Sequence, residues 1–126
     1  MQKKAKSIKR LIKSFKYAFK GIIYTFKNEQ NIIVHTIIMI LVIIFGIIFK
    51  INKYEWLICI ILFGLVISAE LINTAIEATV DLKCKEINPL AKIAKDTSSG
   101  SVLLLAITSV IVGCIIFIPK IISYIN

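Results

Sequence analysis

Four polar side chains interrupt one apolar stretch of the sequence, and their spacing predicts that they share one helical face. Asn73, Glu77 and Asp81 follow Glu70 by three, seven and eleven residues. At about 100° per residue, these offsets keep all four side chains within an arc of about 80°. Ionisable groups in an apolar helix are costly, so they usually mark a functional site or a buried pairing. The structural alternative is a hydrogen-bonded seam between helices, with Asp81 in solvent.

The residue types in this stripe suit the handling of a phosphate. Carboxylate and amide oxygens suit Mg²⁺, which is commonly bound through one or two carboxylates together with substrate phosphates. Glu29 precedes the first apolar run of the chain, and Lys95 and Asp96 precede the last, so we expect them at the same level as the stripe. A lysine ammonium suits phosphate oxygens, and a remaining carboxylate could deprotonate an attacking hydroxyl.

These outlying residues also have simpler explanations. Lys95 could extend to the membrane surface, and Asp96 could be a solvated charge. His35 is better explained as a hydrogen-bonding or interfacial residue than as a metal ligand. Neither a P-loop nor a kinase-type glycine loop occurs. The residues alone therefore predict a metal–phosphate site of unspecified reaction.

Three apolar runs predict the helices that position this site. They cover about residues 32–49, 56–76 and 101–118, each long enough to cross a hydrocarbon core of roughly 30 Å. We expect the helices that contain them to span residues 31–50, 54–82 and 89–119. Asn88 and Pro89 are typical of an N-cap followed by proline at the first helical position. The predicted fold class is an all-α integral membrane protein, with residues 1–126 as a single domain.

The first 29 residues predict an amphipathic surface helix. Apolar side chains recur at three- and four-residue steps over residues 8–26, and lysines occupy the other face. Sixteen Lys and Arg against seven Asp and Glu give a net charge of +9. A nucleic-acid-binding or calmodulin-binding helix is the competing interpretation. The apolar runs behind it favour anionic membrane lipids as the partner, with no nucleic acid.

Basic residues also predict the orientation. Nine of the sixteen lie in residues 1–30 and four in residues 82–96, against two in the loop at 50–55. By the positive-inside rule, the N-terminus and residues 82–96 lie in the cytoplasm, and three crossings leave the C-terminus outside. At about 1.5 Å per residue, Glu70 lies roughly 20 Å inward from Trp56, and Glu77 about 10 Å further, near the cytoplasmic boundary.

Several runs of the sequence resemble one known family. AELINTAIEATVDL at 69–82 and AKIAKDTSSGSVLL at 91–104 are similar to the small prokaryotic diacylglycerol kinase/undecaprenol kinase family. KNEQN at 27–31, YEW at 54–56 and VGCIIFIPK at 112–120 extend the resemblance over nearly the whole chain. PLAKIAKD and IIFIPK look closer to the Gram-positive undecaprenol kinase branch.

The resemblance implies a reaction and a role for particular residues. It implies a lipid kinase of the bacterial plasma membrane that uses ATP and Mg²⁺ at the cytoplasmic face and assembles as a homotrimer with sites shared between protomers. Glu70 would be the catalytic base, and Ser99 would lie near the lipid. The metal-binding carboxylates would be Glu29 and Glu77. The remaining positions on the nucleotide side would be Arg10, Tyr17, Asn73, Glu86, Lys95 and Asp96. Asn88 departs from the family, which commonly has histidine there.

The substrate and the function class leave alternatives. We expect undecaprenol, converted to undecaprenyl phosphate, with diacylglycerol, converted to phosphatidic acid, as the alternative, because spacing does not separate a polyprenyl tail from two acyl chains. A subunit of an ion-coupled transporter would place acids near the midplane of several crossings, whereas here they gather on one helix. A membrane adaptor would not need Glu70 and Glu77.

Overall fold

The computed structural model describes residues 2–126 as four α-helices joined by short connections. These are α1 (Gln2–Asn28), α2 (Gln30–Ile48), α3 (Lys53–Lys83) and α4 (Pro89–Ile125). No strand occurs within these residues. Helices α2, α3 and α4 are each long and apolar enough to cross a membrane. The prediction of an all-α chain with three such helices is confirmed.

Helix α4 differs from its predicted extent because it continues six residues past Pro119. Proline in a helix interior removes one backbone hydrogen bond and costs about 3 kcal/mol, so the continuation of α4 needs other contacts that stabilise it. Two contacts hold the last turns in place. The Lys120 ammonium lies 3.2 Å from the Glu55 carboxylate, and the Tyr124 ring meets the Phe49 ring edge-on at 5.9 Å between centroids.

The connection between α2 and α3 is fixed by local hydrogen bonds and by close packing. The side chain of Asn52 accepts from the Glu55 backbone N–H at 2.9 Å, and the Glu55 carboxylate accepts from the Asn52 backbone N–H at 3.0 Å. This reciprocal capping box defines where α3 begins. Gly46 lies against the Trp56 ring, so closely that an added Cβ would stand 2.7 Å from it.

Helices α3 and α4 pack along each other and form the main body of the protein. Ile51, Cys59 and Ile116 make a buried cluster near the α2–α3 connection. At the other end, Asn88 caps α4 by accepting from the backbone N–H groups of Leu90 and Ala91. The predicted N-cap with Pro89 at the first helical position is therefore confirmed. The capping geometry also gives a structural use to the position where the family commonly has histidine.

A single residue, Glu29, separates α1 from α2, and its backbone is extended. The last turns of α1 contact α2 and α3, and Thr25 is its buried residue. Large apolar side chains on α1, α2, α3 and α4 remain exposed in the single chain. Those on α2, α3 and α4 form the surfaces that a membrane-spanning helix offers to hydrocarbon or to a neighbouring helix.

Candidate functional site

Glu70 is the most unusual residue of the structure. It lies in the second half of α3, with neighbours Val66 and Ala69 also buried, and its own side chain is 0% exposed. Neither of its carboxylate oxygens has a hydrogen-bond partner among the described residues. Burying a carboxylate without partners is expensive, more so in a protein surrounded by hydrocarbon. We therefore expect a ligand or a proton donor to bind this carboxylate and offset that cost.

A cavity of about 200 Å³ opens beside this carboxylate. Its walls come from α2, α3 and α4, and they include Glu70, Asn73 and Ser99. Ser99 itself is on an exposed part of α4, so the cavity connects Glu70 to the surface of the chain. A second cavity, of about 250 Å³ and lined mainly by apolar side chains, adjoins it and shares His35 and Ala106 with it. A cavity with polar lining residues therefore adjoins an apolar cavity beside Glu70.

Asn73 and Glu77 continue the stripe along α3. The Asn73 side-chain amide donates to Glu77 Oε1 at 3.5 Å, as their separation of four residues allows. Asn73 is buried, and its carbonyl Oδ1 has no hydrogen-bond partner in residues 2–126. One orphaned amide oxygen beside one carboxylate is a donor set that fits Mg²⁺, which keeps several waters and also binds substrate phosphates.

The described residues contain no group of three or more His, Cys, Asp or Glu side chains arranged to hold a metal. A Mg²⁺ ion bound together with a nucleotide does not require such a cage, because phosphates and water supply the remaining ligands. Glu29, at the junction of α1 and α2, lies near enough to Glu70 for its charge to act there, as does Glu77. Glu29 makes no capping hydrogen bond to α2, so its carboxylate is not used by the fold in that way.

Lys95 and Asp96 lie beside the stripe, each with a partner. The Lys95 ammonium forms an ion pair with Asp81, which joins α4 to the end of α3. Asp96 receives a hydrogen bond from Lys92 at 2.5 Å, one turn earlier on α4. Both pairs lie at the surface, where water screens ion pairs and makes them weak, so an incoming phosphate could displace either pairing at low cost.

Three predicted nucleotide-side residues lie apart from this group. Tyr17 lines a groove between α1 and α3, with the Lys20 ammonium 5.8 Å from its ring centroid. The α3 residues of this groove lie on a different face of the helix from Asn73 and Glu77; they are Leu71, Thr74, Ala75 and Ala78. Arg10 is exposed, seven residues and about 10 Å further towards the start of α1. Glu86 is exposed in the connection between α3 and α4, where its backbone carbonyl accepts from the Cys84 thiol.

The structure adds two residues that the sequence did not assign to the site. Asn31 and His35 from α2 line the Glu70 cavity. His35 Nε2 lies 3.2 Å from Glu70 Oε1, at a distance but not an alignment that makes a hydrogen bond. A signal for this pairing existed, because an ionisable residue inside an apolar helix is expected to face another one. Sequence spacing could not show that α2 and α3 meet at this level.

Comparison with known proteins finds one matching family model and several similar proteins. The family model described as prokaryotic diacylglycerol kinase matches residues 16–117. A protein named undecaprenol kinase, from Bacillus subtilis, is 42% identical over 90% of this chain and 92% of its own length. A diacylglycerol kinase from Synechocystis is 38% identical over 90% of this chain, which corresponds to 65% of that longer protein. A diacylglycerol kinase from Escherichia coli is 31% identical over 85% of this chain and 88% of its own length.

Proposed function

Because the chain belongs to the prokaryotic diacylglycerol kinase family, a family of membrane lipid kinases, we propose that it transfers the γ-phosphoryl group of ATP to a lipid alcohol. The observation that carries this proposal is Glu70, a fully buried carboxylate with two unpartnered oxygens beside a cavity. The proposed substrate is undecaprenol, because the 42% identical relative is named for it. Diacylglycerol is the second candidate, because the other two relatives are named for that lipid.

Glu70 acts as the general base in this proposal. A substrate hydroxyl in the cavity gives its proton to one Glu70 oxygen as its own oxygen attacks the γ-phosphorus. The bond from the γ-phosphorus to the bridging oxygen breaks, and ADP leaves with that electron pair. General-base assistance contributes typically about 10²- to 10⁴-fold. The adjoining apolar cavity supports an amphiphilic substrate, with a hydroxyl at Glu70 and apolar chain beyond it.

Asn73, Glu77 and Glu29 would hold Mg²⁺ together with the phosphates of ATP. The metal supplies neutralisation of the charge on the phosphate oxygens, which is most of what phosphoryl transfer demands of its catalyst. Asn73 and Glu77 are four residues apart on α3 and already in contact. Glu29 approaches from the α1–α2 junction.

Lys95, Asp96, Arg10, Tyr17 and Glu86 are the proposed nucleotide contacts beyond the metal. The separation of Arg10, Tyr17 and Glu86 from Glu70 in one chain supports a homotrimer in which neighbouring protomers complete each site. The large exposed apolar surface of the single chain is consistent with such an assembly in a membrane. Helices that meet in lipid associate through close packing and interhelical hydrogen bonds.

The proposed orientation places the site at the cytoplasmic face of the plasma membrane. The basic residues of α1 and of residues 82–96 support this, and α1 would lie on anionic lipids. Labelling in intact cells tests it: a cysteine replacing Lys53 should react with an impermeant reagent, and one replacing Lys85 should not. The native cysteines are first replaced by serine. External labelling at position 85 would overturn the proposed site.

The activity is tested with purified protein in lipid vesicles, labelled ATP and Mg²⁺. Undecaprenol and diacylglycerol are offered in parallel, and the labelled lipids are extracted and separated. We expect label in undecaprenyl phosphate at a higher rate than in phosphatidic acid. The reverse order would reassign the substrate, and label in neither lipid from a stable protein would contradict the lipid kinase proposal.

A further inference from the structure

His35 occupies a position that neither the fold nor the proposed reaction explains. It lies in α2, whose described residues carry no other ionisable side chain. Its side chain is 17% exposed, and its Nε2 atom lies 3.2 Å from Oε1 of the fully buried Glu70. A histidine in a membrane-crossing helix is costly, so its contact with a buried carboxylate calls for a reason.

We propose that His35 is a positioning residue for Glu70, with its imidazole N–H directed at Oε1 so that Oε2 is left to take the proton of the lipid hydroxyl. This inference rests on the proposed function, in which Glu70 is the base. The contact distance is already that of a hydrogen bond, and only the alignment is missing. Catalytic hydrogen bonds are often poorly aligned before the substrate binds and tighten afterwards.

The surroundings of Glu70 make His35 the one residue suited to this task. The two other ionisable groups whose charges act on Glu70, Glu29 and Glu77, are carboxylates and repel it. Helix α4 contributes to the cavity Ser99 and three apolar residues, none of them charged. Of the residues that line this cavity, His35 alone can carry a positive charge. Its ring nitrogen stands at hydrogen-bond distance from Oε1, so an N–H there can fix the carboxylate in one orientation.

The positioning also accounts for how the carboxylate could stay reactive. A base that turned freely in its cavity would present the correct oxygen only part of the time. Misplacement of a reacting group by about 1 Å can cost about a hundredfold in rate. His35 lines both the polar cavity and the adjoining apolar one, so it stands where the hydroxyl end and the chain of a lipid would meet.

The first test follows the imidazole itself and needs no turnover. His35 is the sole histidine of the chain, so ¹⁵N-labelled histidine gives one unambiguous imidazole signal pair in NMR. We expect a single tautomer with hydrogen on Nε2 in the wild type and a changed tautomer ratio in Glu70→Ala. An imidazole signal that is indifferent to Glu70→Ala would overturn the positioning role, whatever the activity.

The second test separates positioning from packing by kinetics. His35→Ala should lower kcat by about ten- to a hundredfold and leave the KM for ATP within about twofold, because the metal and phosphate contacts remain. His35→Gln keeps an N–H donor at a similar reach and should recover most of kcat. Thr36→Ala is the matched control: it removes a hydrogen bond to the Ile32 carbonyl on the same helix and should behave as wild type.

The outcomes distinguish this inference from the function on which it rests. Wild-type kcat in His35→Ala, with Glu70→Gln inactive, would overturn the inference and leave the kinase proposal standing. Equal loss in His35→Ala and His35→Gln would also overturn it, because a positioning donor should be replaceable by another. A wild-type protein that phosphorylates no lipid alcohol would overturn the proposed function and the catalytic purpose of His35 together.

Discussion

Helix α3 holds one glutamate in its first turn and another just past its middle, and the contrast between Glu55 and Glu70 separates stability from function. At the start of the helix, the Glu55 carboxylate accepts from the Asn52 backbone N–H and lies 3.2 Å from the Lys120 ammonium. In the second half, Glu70 is more deeply buried, yet neither oxygen has a hydrogen-bond partner among the described residues. The first glutamate has the partners expected of a structural residue. The second has no hydrogen bond and one contact of that length, to His35 Nε2, and it lies beside a cavity, as expected of a group that awaits a ligand.

The side chains packed around the two glutamates also differ in character. Near Glu55, Gly46 allows the Trp56 ring to approach closely, and Phe49 contacts both Phe117 and Tyr124. Cavities occur in both regions, but the one beside Phe49 and Phe117 is lined by apolar side chains alone, whereas the one beside Glu70 is also lined by polar ones. Proteins retain unsatisfied polar groups and empty space where function requires them, at a cost in stability.

The largest expected effect comes from Glu70→Gln, which keeps the size and hydrogen-bonding capacity of the side chain but cannot accept the proton. Turnover with the lipid alcohol should fall by at least about a hundredfold. The KM for ATP should change little. Glu55→Gln is the matched control in the first turn of the same helix, roughly 22 Å away at about 1.5 Å per residue, and should retain turnover. A Glu70→Gln variant within tenfold of the wild-type rate would sink the base assignment.

A smaller effect is expected from Glu77→Gln and Glu29→Gln, which each remove a charged oxygen ligand and keep the shape. Both variants should need about ten times more Mg²⁺ to reach half-maximal rate, and saturating Mg²⁺ should restore part of the activity. The measurement is a Mg²⁺ titration at fixed ATP. An unchanged titration for both variants would remove these carboxylates from the metal site.

Next in size is the effect of Gly46→Ala on stability. The added methyl would lie 2.7 Å from the Trp56 ring and 3.1 Å from Ile51, so the ring must shift, at a cost of about 1 kcal/mol or somewhat more. Gly64→Ala is the matched control, because nothing lies within 4 Å of its added Cβ. Thermal unfolding of both variants in the same detergent checks this. A Gly46→Ala protein as stable as Gly64→Ala would show that the close contact does not matter.

The smallest effect is expected from Lys120→Met, which breaks the ion pair with Glu55. Because both side chains are partly exposed, the loss should be about 0.5 kcal/mol, with turnover unchanged. Melting temperatures at low and high salt provide the check, since the difference between the variant and the wild type should shrink as salt screens the pair. A salt-independent difference would point to lost packing instead.

Much of this arrangement follows from the sequence, for identifiable reasons. The three membrane-length helices follow from the apolar runs, and the stripe of Glu70, Asn73 and Glu77 follows from helical periodicity, which is local. The cap at Asn88 is local as well. The predicted end of α4 at residue 119 is too early. The helix continues past Pro119 because Lys120 and Tyr124 contact residues that are far away in sequence.

The site was harder to predict where it depends on meetings between helices. His35 and Glu70 are 35 residues apart on different helices. Helical periodicity relates residues of one helix, so it could not predict this contact. The pairing of Lys95 with Asp81 is of the same kind. The roles of Arg10, Tyr17 and Glu86 stay predictions from resemblance, since the single chain does not bring them to Glu70.

The most direct test of the contrast between the two glutamates is the melting temperature of Glu70→Gln beside that of Glu55→Gln. If Glu70 is buried for function, replacing its carboxylate by a neutral amide removes a costly buried charge, and the melting temperature should equal or exceed that of the wild type. Glu55→Gln should melt lower, because an ion pair is lost. A Glu70→Gln protein that melts below both the wild type and Glu55→Gln would contradict the account and make Glu70 a structural residue.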